Sequence, residues 1–132
     1  MTLVVDASGI VAALVDDGPA GRWAEVLLVE NALAAPHLLH VEVASVLRRA
    51  SLAGDISADT ASIAHGELID LPVELFAYEL FAERAWDLRK TVTSYDACYV
   101  ALAELLDAPV ATLDRRLASA PGPRCQFLTP DQ

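Results

Sequence analysis

Two carboxylates directly follow short apolar runs, at places where a side chain could take part in chemistry. Asp6 comes after residues 3–5 (LVV), and Asp114 comes after residues 110–113 (VATL). Short runs of this kind are typical of strands buried inside a parallel sheet. Ligands of open α/β sheets bind beyond the carboxyl ends of the strands. We therefore expect Asp6 and Asp114 to lie at the same edge of one sheet.

Two further acids lie on helices in positions that a solvated helix face does not explain. Glu42 lies roughly 60° from the centre of the apolar stripe on its helix, at about 100° per residue. Asp96 falls in the first turn of a segment that is apolar nearly all round and is therefore expected to be buried. Together with Asp6 and Asp114, these residues are the candidate catalytic acids.

Each acid also has an ordinary structural explanation. The two strand-end aspartates could cap the helices that follow them, a common role for aspartate. Thr93 and Asp96 match the spacing of a capping box. Glu42 could lie at the edge of its helix and pair with Arg49. Capping alone does not explain why the acids are expected at one edge of a sheet.

A cluster of these acids would need a positive charge or a proton. Two carboxylates about 4 Å apart repel by about 4 kcal/mol at an effective dielectric constant of about 20. Several such pairs would exceed the stability margin of a typical domain. Oxygen-only ligands favour Mg²⁺ or Mn²⁺ over zinc. An ion of this kind supports hydrolysis of a phosphodiester by a metal-activated water.

Other chemistries find weaker support in the sequence. His37, His40 and Glu42 are close in sequence, but no further Cys or His is well placed to complete a zinc site. The chain contains neither G-x-x-x-x-G-K nor G-x-G-x-x-G, the loops that bind nucleotide phosphates, and it lacks the G-x-S-x-G of serine hydrolases. Phosphotransfer domains place D-x-D or paired acids at the first strand, where this chain has Asp6-Ala7-Ser8.

Composition limits the partners. The formal net charge is −10, so the chain could hold nucleic acid only locally, through a cation or a few arginines. Hydrophobic residues make up 55% of the chain, more than the usual ~45–50%, which leaves room for a dimer contact or a partner surface. Two cysteines do not make a disulfide framework. No apolar run approaches the ~20 residues of a membrane span and no signal peptide is evident, so we expect a cytoplasmic protein without a membrane contact.

The order of patterns predicts one α/β domain over residues 1–132. Strands alternate with helices, which is typical of a central parallel sheet, here of four to five short strands, flanked by helices in three layers. The strands are expected at 3–5, 33–36, 73–76, 110–113 and 125–128. The helices are expected from about 9 to 14 and at 20–30, 38–53, 57–71, 79–90, 95–106 and 115–118.

Four blocks of sequence together resemble the PIN-domain ribonucleases, and within them the VapC toxins of type II toxin–antitoxin pairs. They follow one another in the expected order and spacing, at residues 4–8 (VVDAS), 36–43 (PHLLHVEV), 94–103 (SYDACYVALA) and 112–117 (TLDRRL).

The resemblance implies a PIN-like fold with one acidic site. It implies that Asp6, Glu42, Asp96 and Asp114 are catalytic, and that Asp6, Asp96 and Asp114 bind Mg²⁺ or Mn²⁺. Ser8 and Thr112 match the small hydroxyl residues that support the family's site. Many relatives have Asn three residues after the motif glutamate, where this chain has Ser45.

The resemblance also implies partners. It predicts a magnesium-dependent endoribonuclease that acts as a toxin, forms a homodimer and is neutralised by a cognate antitoxin. The RNA substrate would be held by local arginines, for which Arg48, Arg89 and Arg115 are the candidates. The alternative is a catalytically silent PIN-like module that only binds RNA or protein.

Overall fold

A five-stranded parallel sheet forms the centre of the protein, which the computed structural model describes over residues 1–131. The strands are β1 (Thr2–Val5), β2 (Ala32–Pro36), β3 (Val73–Phe76), β4 (Val110–Ala111) and β5 (Phe127–Leu128), in the spatial order β3-β2-β1-β4-β5. All four neighbouring pairs are parallel.

Helices flank this sheet. They are α1 (Ala7–Val15), α2 (Pro19–Glu30), α3 (Leu39–Leu52), α4 (Ala58–Asp70), α5 (Ala82–Asp87), α6 (Ser94–Leu106) and α7 (Arg115–Ala118), with a 3₁₀ turn at Tyr78–Leu80. Helix α1 contacts α2, α3 and α4, whereas α6 packs on β1, β2 and β4 and against α5. The predicted α/β fold with a parallel sheet and flanking helices is therefore confirmed.

The core lies around β1 and α6, as their apolar sequences predict. Leu3, Val4 and Val5 of β1 are all buried, which is the expected state of a central strand covered on both faces. In α6 the seven residues from 97 to 103 are buried without interruption. A helix that is apolar nearly all round is stable only inside the molecule, so the middle of α6 packs against the sheet, whereas Ser94 and Tyr95 in its first turn are exposed.

The strand order creates a switch point beside β1. The chain moves from β1 outward to β2 and β3, then returns to place β4 on the other side of β1. In open α/β sheets the crevice between such strands, at their carboxyl ends, is the usual ligand site. Val5 pairs with Ala111, and the Asp6 amide donates to the Ala111 carbonyl at 3.2 Å. Asp6 therefore enters this crevice directly from β1.

The single helix predicted at 79–90 is wrong. The chain instead makes the 3₁₀ turn, breaks at Phe81 (φ −135°, ψ 14°) and then forms the short α5. The reason is tertiary, because the break lets the Phe81 side chain enter the core at 4% exposure while the Tyr78 ring lies edge-on against it.

The two strands predicted after α6 are shorter than expected. Strand β4 ends at Ala111 rather than at 113, and β5 begins at Phe127 rather than at 125. The hydroxyl of Thr112 accepts the backbone amide of Asp114 at 3.0 Å. Such a local side-chain bond turns the chain out of the strand and directs Asp114 towards the crevice. Among residues 1–131, no helix has both the length and the apolar character needed to cross a bilayer.

Candidate active site

Asp6 is a buried carboxylate that caps a helix and also faces the crevice. It is 6% exposed. One carboxylate oxygen accepts the Ser8 hydroxyl at 2.6 Å and the Gly9 amide at 3.1 Å, and the other accepts the Thr112 hydroxyl. The capping explanation is thus correct for Asp6, and it does not compete with a place in the acidic cluster.

The pKa of Asp6 is raised above its ordinary value. Burial is the largest cause, because removing a carboxylate from water disfavours its charged form. The bonds from Ser8, Thr112 and Gly9 oppose this rise, and the charge of Asp114 adds to it. Burial and a neighbouring acid therefore both favour the protonated form of Asp6, while its hydrogen bonds favour the charged form.

The two hydroxyl residues, Ser8 and Thr112, join the start of α1 to the chain that follows β4. Their oxygens lie 3.4 Å apart, and each binds Asp6. The Ser8 hydroxyl also accepts the Leu113 amide at 3.0 Å, while Thr112 is fully buried. Each hydroxyl donates to the carboxylate and accepts a backbone amide, so the orientation of Asp6 is fixed from two sides.

Asp114 follows β4 and caps α7. One of its carboxylate oxygens accepts the amides of Arg116 at 2.9 Å and Leu117 at 3.2 Å. Because the same oxygen accepts both bonds, the second oxygen is left for other partners. The charge of Asp114 raises the pKa of both Asp6 and Asp96. Asp114 therefore lies close enough to both acids to interact with them.

Asp96 lies in the first turn of α6, and its carboxylate interacts with Thr93, the residue that caps the helix. Thr93 caps the helix by accepting the Asp96 amide at 3.1 Å. The reciprocal bond of a capping box, from the Asp96 side chain back to the Thr93 amide, is not formed within residues 1–131. Burial is the main cause of the raised pKa of Asp96, and the charges of Asp114 and Asp6 add to it, while a side-chain hydrogen bond with Thr93 and the charge of Arg116 oppose it.

Glu42 is half-buried near the start of α3 and accepts a hydrogen bond that the sequence did not predict. The hydroxyl of Tyr99, on α6, donates to Glu42 Oε1 at 2.6 Å. The proposed pairing of Glu42 with Arg49 is wrong, because Arg49 donates instead to the Ser45 hydroxyl at 3.1 Å. Burial raises the pKa of Glu42, the bond from Tyr99 opposes this rise, and the charges of Asp96 and Asp6 add to it.

Tyr99 is the residue of this site that sequence reasoning missed. It is 1% exposed, and a buried tyrosine hydroxyl needs a hydrogen-bond partner. It also lies three residues after Asp96, on the same face of α6. Those two signals, a tyrosine in a buried helix and its spacing from an acid, could have identified it.

Electrostatic interactions link the four predicted acids around the crevice, although none joins Glu42 directly to Asp114. Asp6 and Asp114 follow neighbouring strands. Asp96 interacts electrostatically with both of them, and Glu42 interacts with Asp96 and Asp6. Each of these interactions raises the pKa of a carboxylate. This is the effect expected of like charges held close together where water is partly excluded.

The donor set fits a hard divalent cation in an open site. All four side chains offer carboxylate oxygen, the donor that Mg²⁺ and Mn²⁺ prefer. Among residues 1–131, no three His, Cys, Asp or Glu side chains converge closely enough to form a cage around a metal ion. Mg²⁺ is normally bound by one or two carboxylates together with water and substrate phosphates, so the arrangement is compatible with it.

The predicted RNA-binding arginines lie in different surroundings. Arg48 is exposed on α3. The guanidinium of Arg89 lies 4.7 Å from the centre of the Trp86 ring and donates to the Trp86 carbonyl. Arg115 donates to the Pro130 carbonyl at 2.6 Å. Within the acidic cluster, Asp96 is influenced by Arg116, whose charge lowers its pKa.

The fold and the site define a class: an open parallel α/β protein with acidic side chains at its switch point. The family model of the PIN domain matches residues 3–123. The chain is 44% identical to Ribonuclease VapC1 of Mycobacterium tuberculosis over 125 residues, 94% of each chain. It is 37% identical to Ribonuclease VapC9 of the same species over 123 residues, 93% of this chain and 94% of the other.

Solved structures share the fold at low sequence identity. The M. tuberculosis VapC20 structure, described as a sarcin–ricin loop cleaving toxin, superposes with a TM-score of 0.68 at 15% identity, covering 89% of this chain and 93% of that one. The Rickettsia felis VapBC2 structure, bound to promoter DNA, gives 0.66 at 12% identity over 99% of this chain and 100% of that one. The chain belongs to the PIN-domain family, and within it to the VapC family.

Proposed function

We propose that this protein is an endoribonuclease that acts as the toxin of a type II toxin–antitoxin pair. The single observation that carries the proposal is the convergence of Asp6, Glu42, Asp96 and Asp114 at the switch point of the sheet. The relatives that match nearly the whole chain bear the name ribonuclease, and this agrees with an acidic site suited to phosphodiester hydrolysis.

Asp6, Asp96 and Asp114 are the proposed ligands of Mg²⁺ or Mn²⁺, one or two of them through their own oxygens and the rest through bound water. When bound, such an ion would supply Lewis acidity, lowering the pKa of a water molecule and balancing charge on the phosphate. Ser8 and Thr112 support this role by fixing the Asp6 carboxylate between them.

Glu42 and Asp96 are the candidates to orient the attacking water or to accept its proton. Tyr99 occupies Oε1 of Glu42, so Oε2 is the oxygen left to accept a proton. The raised pKa of each acid moves it towards the operating pH, where a general base works best. Attack by water does not use the 2′-hydroxyl, so we expect products with 5′-phosphate and 3′-hydroxyl ends.

The proposed partners follow from the same assignment. Solved relatives include the Rickettsia felis VapBC2 structure and the FitAcB structure of Neisseria gonorrhoeae, and a cognate antitoxin is proposed for this chain by analogy. A homodimer and a cytoplasmic location are also proposed. Several large apolar side chains are more than two-thirds exposed and are available for such contacts: Val29, Val41 and Leu52. Arg48, Arg89 and Arg115 remain the proposed RNA contacts of the family assignment.

The test is cleavage of fluorescein-labelled single-stranded RNA in Mg²⁺ buffer. We expect cutting that stops with EDTA, and at least a ~100-fold slower rate for Asp96→Asn, the usual scale of a lost acid–base group. Asp70→Asn makes the same change at an exposed position at the end of α4 and should cut like the unsubstituted protein.

The outcome also decides the alternative. A PIN-like module that only binds RNA or protein would cut nothing at any concentration of divalent cation. Full activity of Asp96→Asn in saturating Mg²⁺ would remove Asp96 from the mechanism.

A further inference from the structure

A groove of about 370 Å³ opens beside the acidic cluster, and of the residues that line it the proposed mechanism uses only Glu42. We call it the α3 groove. Three of its lining residues belong to the acidic cluster or adjoin it in sequence: Glu42 itself, Ala7 next to Asp6, and Tyr95 next to Asp96. The α3 groove is therefore continuous with the place where a scissile phosphate would lie.

One face of α3 runs from the acid to a cation. Glu42, Ser45, Val46 and Arg49 all line the groove, and their spacing of three, four and seven residues puts them on one side of the helix. At about 1.5 Å per residue, Arg49 lies about 10 Å along the helix axis from Glu42. The Glu42 carboxylate therefore lies at one end of the groove, and the Arg49 guanidinium lies at the other.

Ser45 fixes this cation. The hydroxyl of Ser45 accepts a hydrogen bond from Arg49 Nη1 at 3.1 Å. This uses one of the five N–H donors of the guanidinium, so the others can bind an anion. The hydroxyl of Ser45 therefore holds Arg49 on the groove side of α3.

Tyr95 gives the groove an aromatic surface. The residue is 64% exposed, and its neighbour across the groove, Val41, is 74% exposed. Within residues 1–131 the Tyr95 hydroxyl makes no hydrogen bond. Most of the Tyr95 side chain is therefore open to solvent, and a nucleic-acid base can stack on its ring.

Charge distinguishes between the possible occupants. A chain of net charge −10 repels RNA over most of its surface, so a bound strand needs a cation near the scissile phosphate. An aromatic ring beside an arginine is the usual combination that binds single-stranded nucleic acid. An apolar peptide would cover Val41 and Tyr95 but would leave the Arg49 guanidinium without an anion.

We propose that the α3 groove binds the nucleotide adjacent to the scissile phosphate of a single-stranded RNA. The base stacks on Tyr95, and Arg49, held by Ser45, binds a backbone phosphate. The proposal rests on the proposed function for the position of the scissile phosphate, and it adds the direction in which the strand leaves the acidic site.

The experiment measures RNA binding apart from cleavage. Binding of a fluorescein-labelled single-stranded oligoribonucleotide of mixed sequence is followed by fluorescence anisotropy in the Asp6→Asn background, with Mg²⁺ present. Tyr95→Ala should raise Kd roughly ten-fold, the scale of one lost base stack, while Tyr95→Phe should keep the affinity. Arg49→Gln should raise Kd and reduce the salt slope by about one ion.

Matched controls make the same chemical changes elsewhere. Tyr78→Ala removes another exposed tyrosine ring, in the 3₁₀ turn after β3, and Arg22→Gln removes an exposed arginine from α2. Both should bind RNA like the parent protein. In the cleavage assay without the Asp6 change, Tyr95→Ala should raise KM about as much as Kd and leave kcat nearly unchanged.

The outcomes separate this proposal from the proposed function. Unchanged Kd and KM for both Tyr95→Ala and Arg49→Gln, in a protein that cuts RNA, would overturn the groove assignment alone. Weaker binding of the antitoxin with unchanged RNA affinity would also overturn it and would assign the groove to the protein partner. RNA binding that depends on Tyr95, in a protein that never cuts, would support the groove and overturn the nuclease assignment.

Discussion

At the scale of single residues, the site depends on hydrogen bonds that orient carboxylates before any cation arrives. Asp6 accepts three bonds, while Glu42 accepts one, from Tyr99. The bond to Glu42 crosses from α6 to α3, and the residue that donates it lies three positions after Asp96. One turn of α6 therefore supplies one acid and the hydroxyl that orients another.

Tyr99→Phe is predicted to slow cleavage about ten-fold with little change in KM. The substitution removes the hydroxyl and keeps the ring in the core, so Glu42 loses a charge-assisted bond of about 1.5–3 kcal/mol. Steady-state kinetics of RNA cleavage measures the effect, with Tyr78→Phe as the matched change at an exposed tyrosine.

A double substitution shows whether Tyr99 acts through Glu42. If it does, Tyr99→Phe combined with Glu42→Gln should cut no more slowly than Glu42→Gln alone, because residues that act as a unit are not additive. Fully additive losses would mean that Tyr99 contributes by some other route.

Sequence patterns located the four acids at the crevice but not their individual contacts. A strand-end aspartate can be recognised from the apolar run before it, as Asp6 shows, because strand direction alone decides where it lies. The partner of Glu42 depends on how α3 and α6 pack, which no local pattern encodes. Arg49 seven residues away was therefore a plausible but wrong partner, while the correct one, Tyr99, is 57 residues distant.

At the scale of elements, the position of α1 against α2 depends on a glycine. Gly21 is buried in α2, and a Cβ atom placed there would lie 1.7 Å from the Asp16 carbonyl oxygen and 2.9 Å from that of Ala12. Backbone atoms cannot move away as a flexible side chain can. The helix that Asp6 caps, α1, thus has its far end fixed by close contact with α2.

Gly21→Ala is predicted to destabilise the protein by at least about 2 kcal/mol, within the range of overpacked sites. Gly66→Ala makes the same change on α4, where a Cβ would meet nothing within 4 Å. There it should stabilise the protein by about 0.5–1 kcal/mol, because glycine is unfavourable in a helix. Urea unfolding of both variants checks the pair, and equal effects would contradict the close approach of the two helices.

The segment between β3 and α6 shows why element boundaries were predicted less well than element order. Its apolar spacing indicated one helix over 79–90, but the burial of Phe81 breaks it into a 3₁₀ turn and α5. Helical spacing reports which residues face the core, and a short broken segment can satisfy the same spacing. Strands β1, β2 and β3, whose patterns are unbroken, lie within one residue of the predicted bounds.

At the scale of the whole molecule, the acidic site works against folding. The pKa values of Asp6, Glu42 and Asp96 are all raised, with burial as the main cause in each. A raised carboxyl pKa means that the folded protein binds protons more tightly than the unfolded chain does. The free energy of unfolding should therefore rise as the pH falls from neutral towards the unfolded values of 3.8 for aspartate and 4.5 for glutamate.

Other carboxylates titrate in the same range, so the site must be isolated by difference. For Glu104, burial acts to raise the pKa, but hydrogen bonds from Arg84 and Arg124 outweigh it and lower the value. This group loses its stabilising effect at low pH. It lies outside the crevice, so its contribution cancels when two variants that differ only at Asp6 are compared.

Asp6→Asn is predicted to flatten the pH dependence of stability in metal-free buffer. The substitution removes one buried charge and its repulsion with Asp114, so stability at neutral pH should gain relative to the unsubstituted protein, and the gain should shrink as the pH falls. Urea unfolding with EDTA across this pH range measures both slopes.

Adding Mg²⁺ at neutral pH should stabilise the unsubstituted protein more than Asp6→Asn, because a ligand stabilises the folded state according to its affinity. Parallel pH slopes, with no difference in the response to Mg²⁺, would mean that the four acids do not share one electrostatic site.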